Sequence, residues 1–197
     1  MTDQNPALAA AAARLVVEEG LEYAAAKHKA GKAARSHGRV GLPTNESVES
    51  EVRAYLDLFC SDTQPAELRA LRRLALRWMT RLAEFRPHLG GAAWRGTATR
   101  LSSLHLDLYC DDSKAMEIAL INLGIAYDSC GGPARHRGEP GLVLRLADHC
   151  PELGERVTLY LAVHDLDDLR GALKPDANGR SWRGDTNALR RLLEEAA

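Results

Sequence analysis

The sequence lacks any bias of charge: 26 Lys and Arg stand against 27 Asp and Glu, for a formal net charge of −1. With a pI near 6.7, it carries no strong signal for nucleic acid and no general pull toward anionic membrane. It also lacks an apolar run approaching the roughly 18–20 residues of a membrane span. The apolar stretch 7–13 follows Asp3 and no Lys or Arg, so it does not read as a secretory signal. The expectation is a cytoplasmic protein with no membrane partner. Cysteine is sparse and unpaired in sequence: Cys60, Cys110, Cys130 and Cys150 form no CxxC motif, and the seven histidines form no HExxH or HxH spacing. Zinc chemistry is therefore not expected, and the plain reading of the cysteines is reduced, mostly buried thiols. A G-x-S-x-G nucleophile elbow is missing, as is any internal repeat.

What is present suffices for a core, since 45% of the 197 residues are apolar. Residues 6–19 are alanine-rich, carry Pro6 in the first turn and end at Gly20, which reads as a helix. A second helical run covers 21–35, with Lys27, Lys29, Lys32 and Arg35, and 36–43 is a loop. Thr44 or Asn45 then caps a helix whose apolar face is Val48, Val52, Tyr55, Leu56 and Phe59. Pro65 opens the strongest pattern: Leu68, Leu71, Ala75, Trp78, Leu82 and Phe85 keep one stripe for five turns. Arg69, Arg72, Arg73, Arg77 and Arg81 lie beside or opposite it, as a solvated face or as an anion- or partner-binding ridge.

After Pro87 the texture changes. Leu104–Tyr109 alternates as a strand with one buried face does. Residues 113–124 read as helix, 125–129 as a short strand and 131–141 as loop. Two further strands fall at 142–146 and 157–163, with 150–154 as the turn between them. Residues 165–173 and 185–195 read as closing helices around a polar loop with Lys174, Arg180 and Arg183. The expected fold is α+β: a helical N-terminal region, 1–87, packed on a small mixed sheet in 88–197, with Leu104, Leu106 and Leu108 buried in a central strand.

The informative stretch runs from Leu89 to Leu108: Gly90-Gly91, then Arg95-Gly96-Thr97-Ala98-Thr99, then Ser103-Leu104-His105-Leu106-Asp107. It resembles the core of small nucleotidyltransferases, where a Gly-Ser turn precedes an Arg-Gly-x-Ala-Thr loop and an Asp-x-Asp strand. The resemblance implies a nucleotidyltransferase-like fold and a phosphate-binding turn made by Gly90, Gly91, Arg95, Gly96 and Thr97. Glycine N–H groups can approach phosphate oxygens because no Cβ intrudes. Two carboxylates at i and i+2 on a strand would share a Mg²⁺ ion that aligns the in-line displacement. Here those positions hold Ser103 and His105, or His105 and Asp107 in the shifted register, and neither pair supplies two hard anionic oxygens. The chain is also similar to a family of small uncharacterised bacterial proteins, some labelled UDP-N-acetylmuramate–alanine ligase. Such a ligase needs a GxxGK[ST] segment for ATP and more than one domain, and the chain has no such segment.

Three readings of these residues follow. Ser103, His105 and Asp107 share a strand face, but positions two apart stand roughly 6.5–7 Å from one another, a ladder rather than a catalytic relay. An active, Mg²⁺-dependent enzyme would need Asp107, with His105 beside it, to be joined by Asp111, Asp112 or Asp165. The favoured expectation is a pseudoenzyme with the acidic motif lost, binding a nucleotide, another phosphorylated small molecule or a protein partner. Arg135, His136 and Arg137 could join Lys174, Arg180 and Arg183 over a phosphate if the two loops meet.

Overall fold

A computed structural model describes residues 6–34, 41–130, 139–174, 179 and 181–195. The expectations for Arg35, for loop residues 36–40, for the basic loop with Arg135, His136 and Arg137, and for Arg180 lie outside these residues. Among the described residues the helices are α1 (Pro6–Glu19), α2 (Tyr23–Ala34), α3 (Asn45–Phe59), α4 (Gln64–Arg81), α5 (Gly91–Arg95), α6 (Ser113–Asn122) and α7 (Thr186–Glu195). The strands are β1 (His88–Gly90), β2 (Leu104–Tyr109), β3 (Asp128–Cys130), β4 (Leu142–Cys150), β5 (Glu155–His164) and β6 (Gly184–Asp185). They form one sheet in the order β3-β4-β5-β2-β1-β6, parallel between β2 and β5 and antiparallel elsewhere. The fold is α+β.

The chain divides into two compact units, one of residues 1–67 with 97–102, the other of 68–96 with 103–197. In the first, α1, α2 and α3 close around Leu8, Ala12, Val16, Val48, Val52 and Leu56. The alanines of α1 let its neighbours come close, and Thr44 Oγ1 caps α3 by accepting from Ser47 N at 3.1 Å. The returning segment 97–102 is tied by its backbone. Gln64 Nε2 donates to Ala98 O at 2.9 Å, and Arg100 N donates to Glu67 Oε2 at 2.9 Å.

In the second unit, β2 lies inside the sheet, between β5 and β1, with Leu104, Leu106 and Leu108 at most 1% exposed. Leu144, Leu146, Leu159, Leu161 and Val163 bury the same face of the neighbouring strands. Each such side chain contributes about 1.5–3 kcal/mol on leaving water. The α4 stripe is buried at Leu71, Leu74, Ala75, Trp78 and Met79, and its polar neighbours bind β4 and the turn after it. Trp78 Nε1 donates to Asp148 Oδ2 at 2.8 Å, Arg77 Nη2 reaches the same oxygen at 3.0 Å, and Arg73 pairs with Glu152 at 3.2 Å. Burial alone would raise the Asp148 carboxyl, but the bonds from Trp78, Arg77 and His149 N together hold it below the ordinary carboxylate range.

Several expectations are corrected. Of the α4 arginines, Arg73, Arg77 and Arg81 lie on an exposed face, as a solvated face does, with Arg73 and Arg77 also paired to the turn after β4 and to β4. Arg72 departs from that reading and is drawn inward to the backbone of α5. The helix itself stops at Arg81; a 3₁₀ turn at Ala83–Phe85 follows, closed by Arg86 in the left-handed region at φ 46°. The expected helix 165–173 is one 3₁₀ turn, Leu166–Leu169, capped by Asp165. β4 and β5 are longer than the two runs of alternation, leaving only 151–154 as the turn. The short strand lies at Asp128–Cys130 instead of 125–129. Cys60, Cys110 and Cys130 are half-buried, and only Cys150 is buried.

Candidate functional site

Register places two polar rows on the sheet face opposite the leucines. Asp185, His88, Asp107, Ala162 and Val143 face one another across β6, β1, β2, β5 and β4. Beside them, Gly90, His105, Tyr160, Arg145 and Asp128 form the second row, from β1 to β3. Tyr109 and His164 are paired at the far ends of β2 and β5.

Asp107 is the hub. Its Oδ1 accepts from His164 Nε2 at 2.9 Å, and its Oδ2 lies 3.2 Å from Arg183 Nη1. An ionised carboxylate only accepts, so this bond fixes the proton on Nε2 of His164. The same Arg183 nitrogen donates to Tyr109 Oη at 2.7 Å. Tyr109 stacks on His164 with centroids 5.3 Å apart, and His88 meets the Tyr109 ring edge-on, also at 5.3 Å. Burial pushes the Tyr109 phenol up, against the opposing pull of Arg183. Burial likewise lowers the His88 imidazole, although its Nδ1 is 2.9 Å from Arg86 O. A carbonyl oxygen only accepts, so His88 donates Nδ1–H to Arg86 O.

Beside this cluster opens a cleft of ≈ 420 Å³, whose lining includes Tyr109, His164, Asp168, Arg170, Lys174, Trp182 and Arg183. Among the described residues three cationic side chains line it, against Asp168 in the lining and Asp107 paired to Arg183. Lys174 and Arg183, separated in sequence, thus share one cleft.

The glycines of the motif sit beside β2. A Cβ on Gly90 would lie 3.6 Å from Asp107 Oδ2. Gly91, at φ +63°, packs against the His105 ring, where a Cβ would come within 3.2 Å. Gly96, at φ +83°, ends α5 in the left-handed region. Arg72 from α4 fixes that end by donating to Ala93 O at 2.9 Å and Trp94 O at 3.3 Å. Arg95 lies over the Trp182 ring at 4.3 Å, and Trp94 Nε1 donates to Ser181 O at 3.0 Å. The segment 181–184 therefore meets α5. Thr97 belongs to the first unit and is buried, whereas Gly90, Gly91, Arg95 and Gly96 belong to the second.

The residues present do not fit a Mg²⁺ ion. Both Asp107 oxygens are engaged by side chains, and His105, at the neighbouring motif position, stacks on Tyr160 at 5.1 Å and 13°. Asp112 and Asp165 cap α6 and the 3₁₀ turn, accepting from Lys114 N and Asp167 N. Among the described residues, no three of His, Cys, Asp and Glu converge as metal ligands. Ser103, His105 and Asp107 make no relay, because the partners of Asp107 come from β5 and the segment before β6.

Sequence reasoning missed His164 and Tyr109, and it saw Arg183 only as part of a basic loop. Parity on β5 marks His164 as sharing a face with Tyr160, but the parallel pairing that brings it to Asp107, 57 residues away, leaves no local signal. No family model matches the chain, and no curated protein matches it.

Proposed function

We propose that the protein is a nucleotidyltransferase-like binding protein, a pseudoenzyme that holds a phosphorylated small molecule such as a nucleotide without metal-dependent chemistry. One observation carries this reading: Asp107, the last carboxylate at the motif position, is neutralised by Arg183 and hydrogen-bonded by His164. Positive charge that a metal would bring to an active member is built into the chain as a guanidinium. The turn–strand order from Gly90 to Asp107 supports the kinship with the small bacterial proteins it resembles. Free thiols at all four cysteines suit a reducing, cytoplasmic compartment.

The ligand's anion belongs in the cleft of Arg170, Lys174 and Arg183, where charge-assisted hydrogen bonds are available from both guanidinium and ammonium groups. Trp182 offers an aromatic surface in the same lining. A protein partner on the α4 ridge is less favoured, since Arg77 is held by both Asp148 Oδ2 and His149 O.

A thermal-shift series with tripolyphosphate and the common nucleoside triphosphates tests the reading. Saturation at a hundred times Kd is expected to stabilise the fold by about 2.7 kcal/mol. Lys174→Ala, in the cleft lining, is expected to remove most of the shift while leaving the unliganded Tm unchanged. No shift with any of these anions, or a full shift in Lys174→Ala, contradicts the proposal.

A further inference from the structure

The polar face of the sheet holds a second cleft, of ≈ 400 Å³, at the β3–β4–β5 end. Its floor is the directly paired Ala147 and Thr158, whose small side chains leave a gap between larger neighbours on the same face. Tyr160 and Arg145, also a direct pair, stand on one side of the gap, and Arg156 stands on the other. Tyr127, just before β3, also lines it. Arg156 leans over the floor, its Nη2 donating to Ala147 O at 3.0 Å. Tyr160 is the hinge of the arrangement: it stacks on His105 and also lines the cleft.

We propose that this cleft is a second binding site, which takes a planar aromatic ring bearing an anionic group. Tyr127 and Tyr160 supply ring surfaces for a flat guest, and an inserted ring extends the His105–Tyr160 stack. Arg145 and Arg156 supply the charge, against Asp128 in the same lining. Arg145 is paired with Asp128 at 2.8 Å, but both side chains are exposed, at 49% and 69%. Such a surface pair is weak, and a guanidinium with five donors keeps others for a guest. Tyr127 Oη donates to Glu117 Oε1 at 3.2 Å, which anchors that ring. The volume suits a small ligand. The site is separate from the Arg183 cleft: Tyr160 and His164 lie four residues apart on β5, or roughly 13 Å.

The ligand class is shared by aromatic phosphates and aromatic carboxylates, so phenyl phosphate and benzoate are the probes, with phenol and inorganic phosphate as controls. Amide chemical-shift titration of the full chain locates binding as well as measuring it. At least one aromatic anion is expected to shift the amides of 145–147 and 156–160 and to bind at least about tenfold tighter than either control. Arg156→Ala, at an exposed position, is expected to weaken that binding about tenfold, and Arg183→Ala is expected to leave it unchanged. Tyr160→Leu keeps an apolar side chain on the strand and removes the stack; it too is expected to weaken the aromatic anion. Binding of neither aromatic anion overturns the proposal, as do equal affinities for phenyl phosphate and inorganic phosphate, or an Arg156→Ala variant that binds like the parent. Because Arg183 takes no part, loss of tripolyphosphate binding at the other cleft leaves this result independent of it.

Discussion

His88 is buried between Arg86 O and the edge of Tyr109, and it makes the folded state sensitive to acid. Burial sets its imidazole below the ordinary value of 6.5, so the unfolded chain takes up a proton before the folded chain does. The stability it contributes is complete above about pH 6.5 and is lost as the pH falls through that value toward the lower folded pKa. The expected outcome is a wild-type Tm that falls between pH 7 and 5 more steeply than that of His88→Gln, which keeps a donor for Arg86 O without a titrating ring. Parallel Tm profiles would show that His88 does not drive the loss. At this scale the sequence was legible only in part. Alternation along Leu104–Tyr109 put His105 and Asp107 on a half-exposed face, which the structure shows. It could not reveal that Asp107 is claimed by His164 and Arg183, because hydrogen bonds across a parallel pairing depend on tertiary register and not on neighbours in the chain.

Among the elements, long periodic ones were easiest to read and short ones hardest. The α4 stripe and the α3 cap follow from local spacing and chemistry, which act within a turn or two of helix. β1 and β6, of 3 and 2 residues, are too short to show alternation; they exist because β2 and each other supply partners. The lock between α5 and β6 is equally hidden. Gly184 lies under Trp94, where an added Cβ would come within 2.0 Å of the indole, and Trp94 also holds Ser181 through its Nε1–H. Gly184→Ala is therefore expected to displace Trp94 and to cost about 1–3 kcal/mol, the usual penalty for overpacking. Urea unfolding with tryptophan fluorescence measures both effects. An unchanged midpoint and spectrum would mean that the indole moves aside freely and does not hold the 181–184 segment that carries Trp182 and Arg183.

For the whole molecule, composition and the change of texture at Pro87 were enough to anticipate an α+β fold, since helix and strand periods differ in kind. The division into two units was less legible, because segment 97–102 returns to the helical unit and interrupts the stretch that reads as one motif. In the proposed function, anion binding in the second unit runs on side-chain charge and not on a metal. Calorimetric titration of ATP and tripolyphosphate, in EDTA and again with Mg²⁺, into the wild type, Asp107→Asn and Lys174→Ala tests it most directly. Binding is expected in EDTA at an affinity no weaker than with Mg²⁺. It should be at least as tight in Asp107→Asn, where Arg183 no longer faces a carboxylate, and about tenfold weaker in Lys174→Ala. Binding that appears only with Mg²⁺ and vanishes in Asp107→Asn would contradict the account and return Asp107 to the role of a metal ligand.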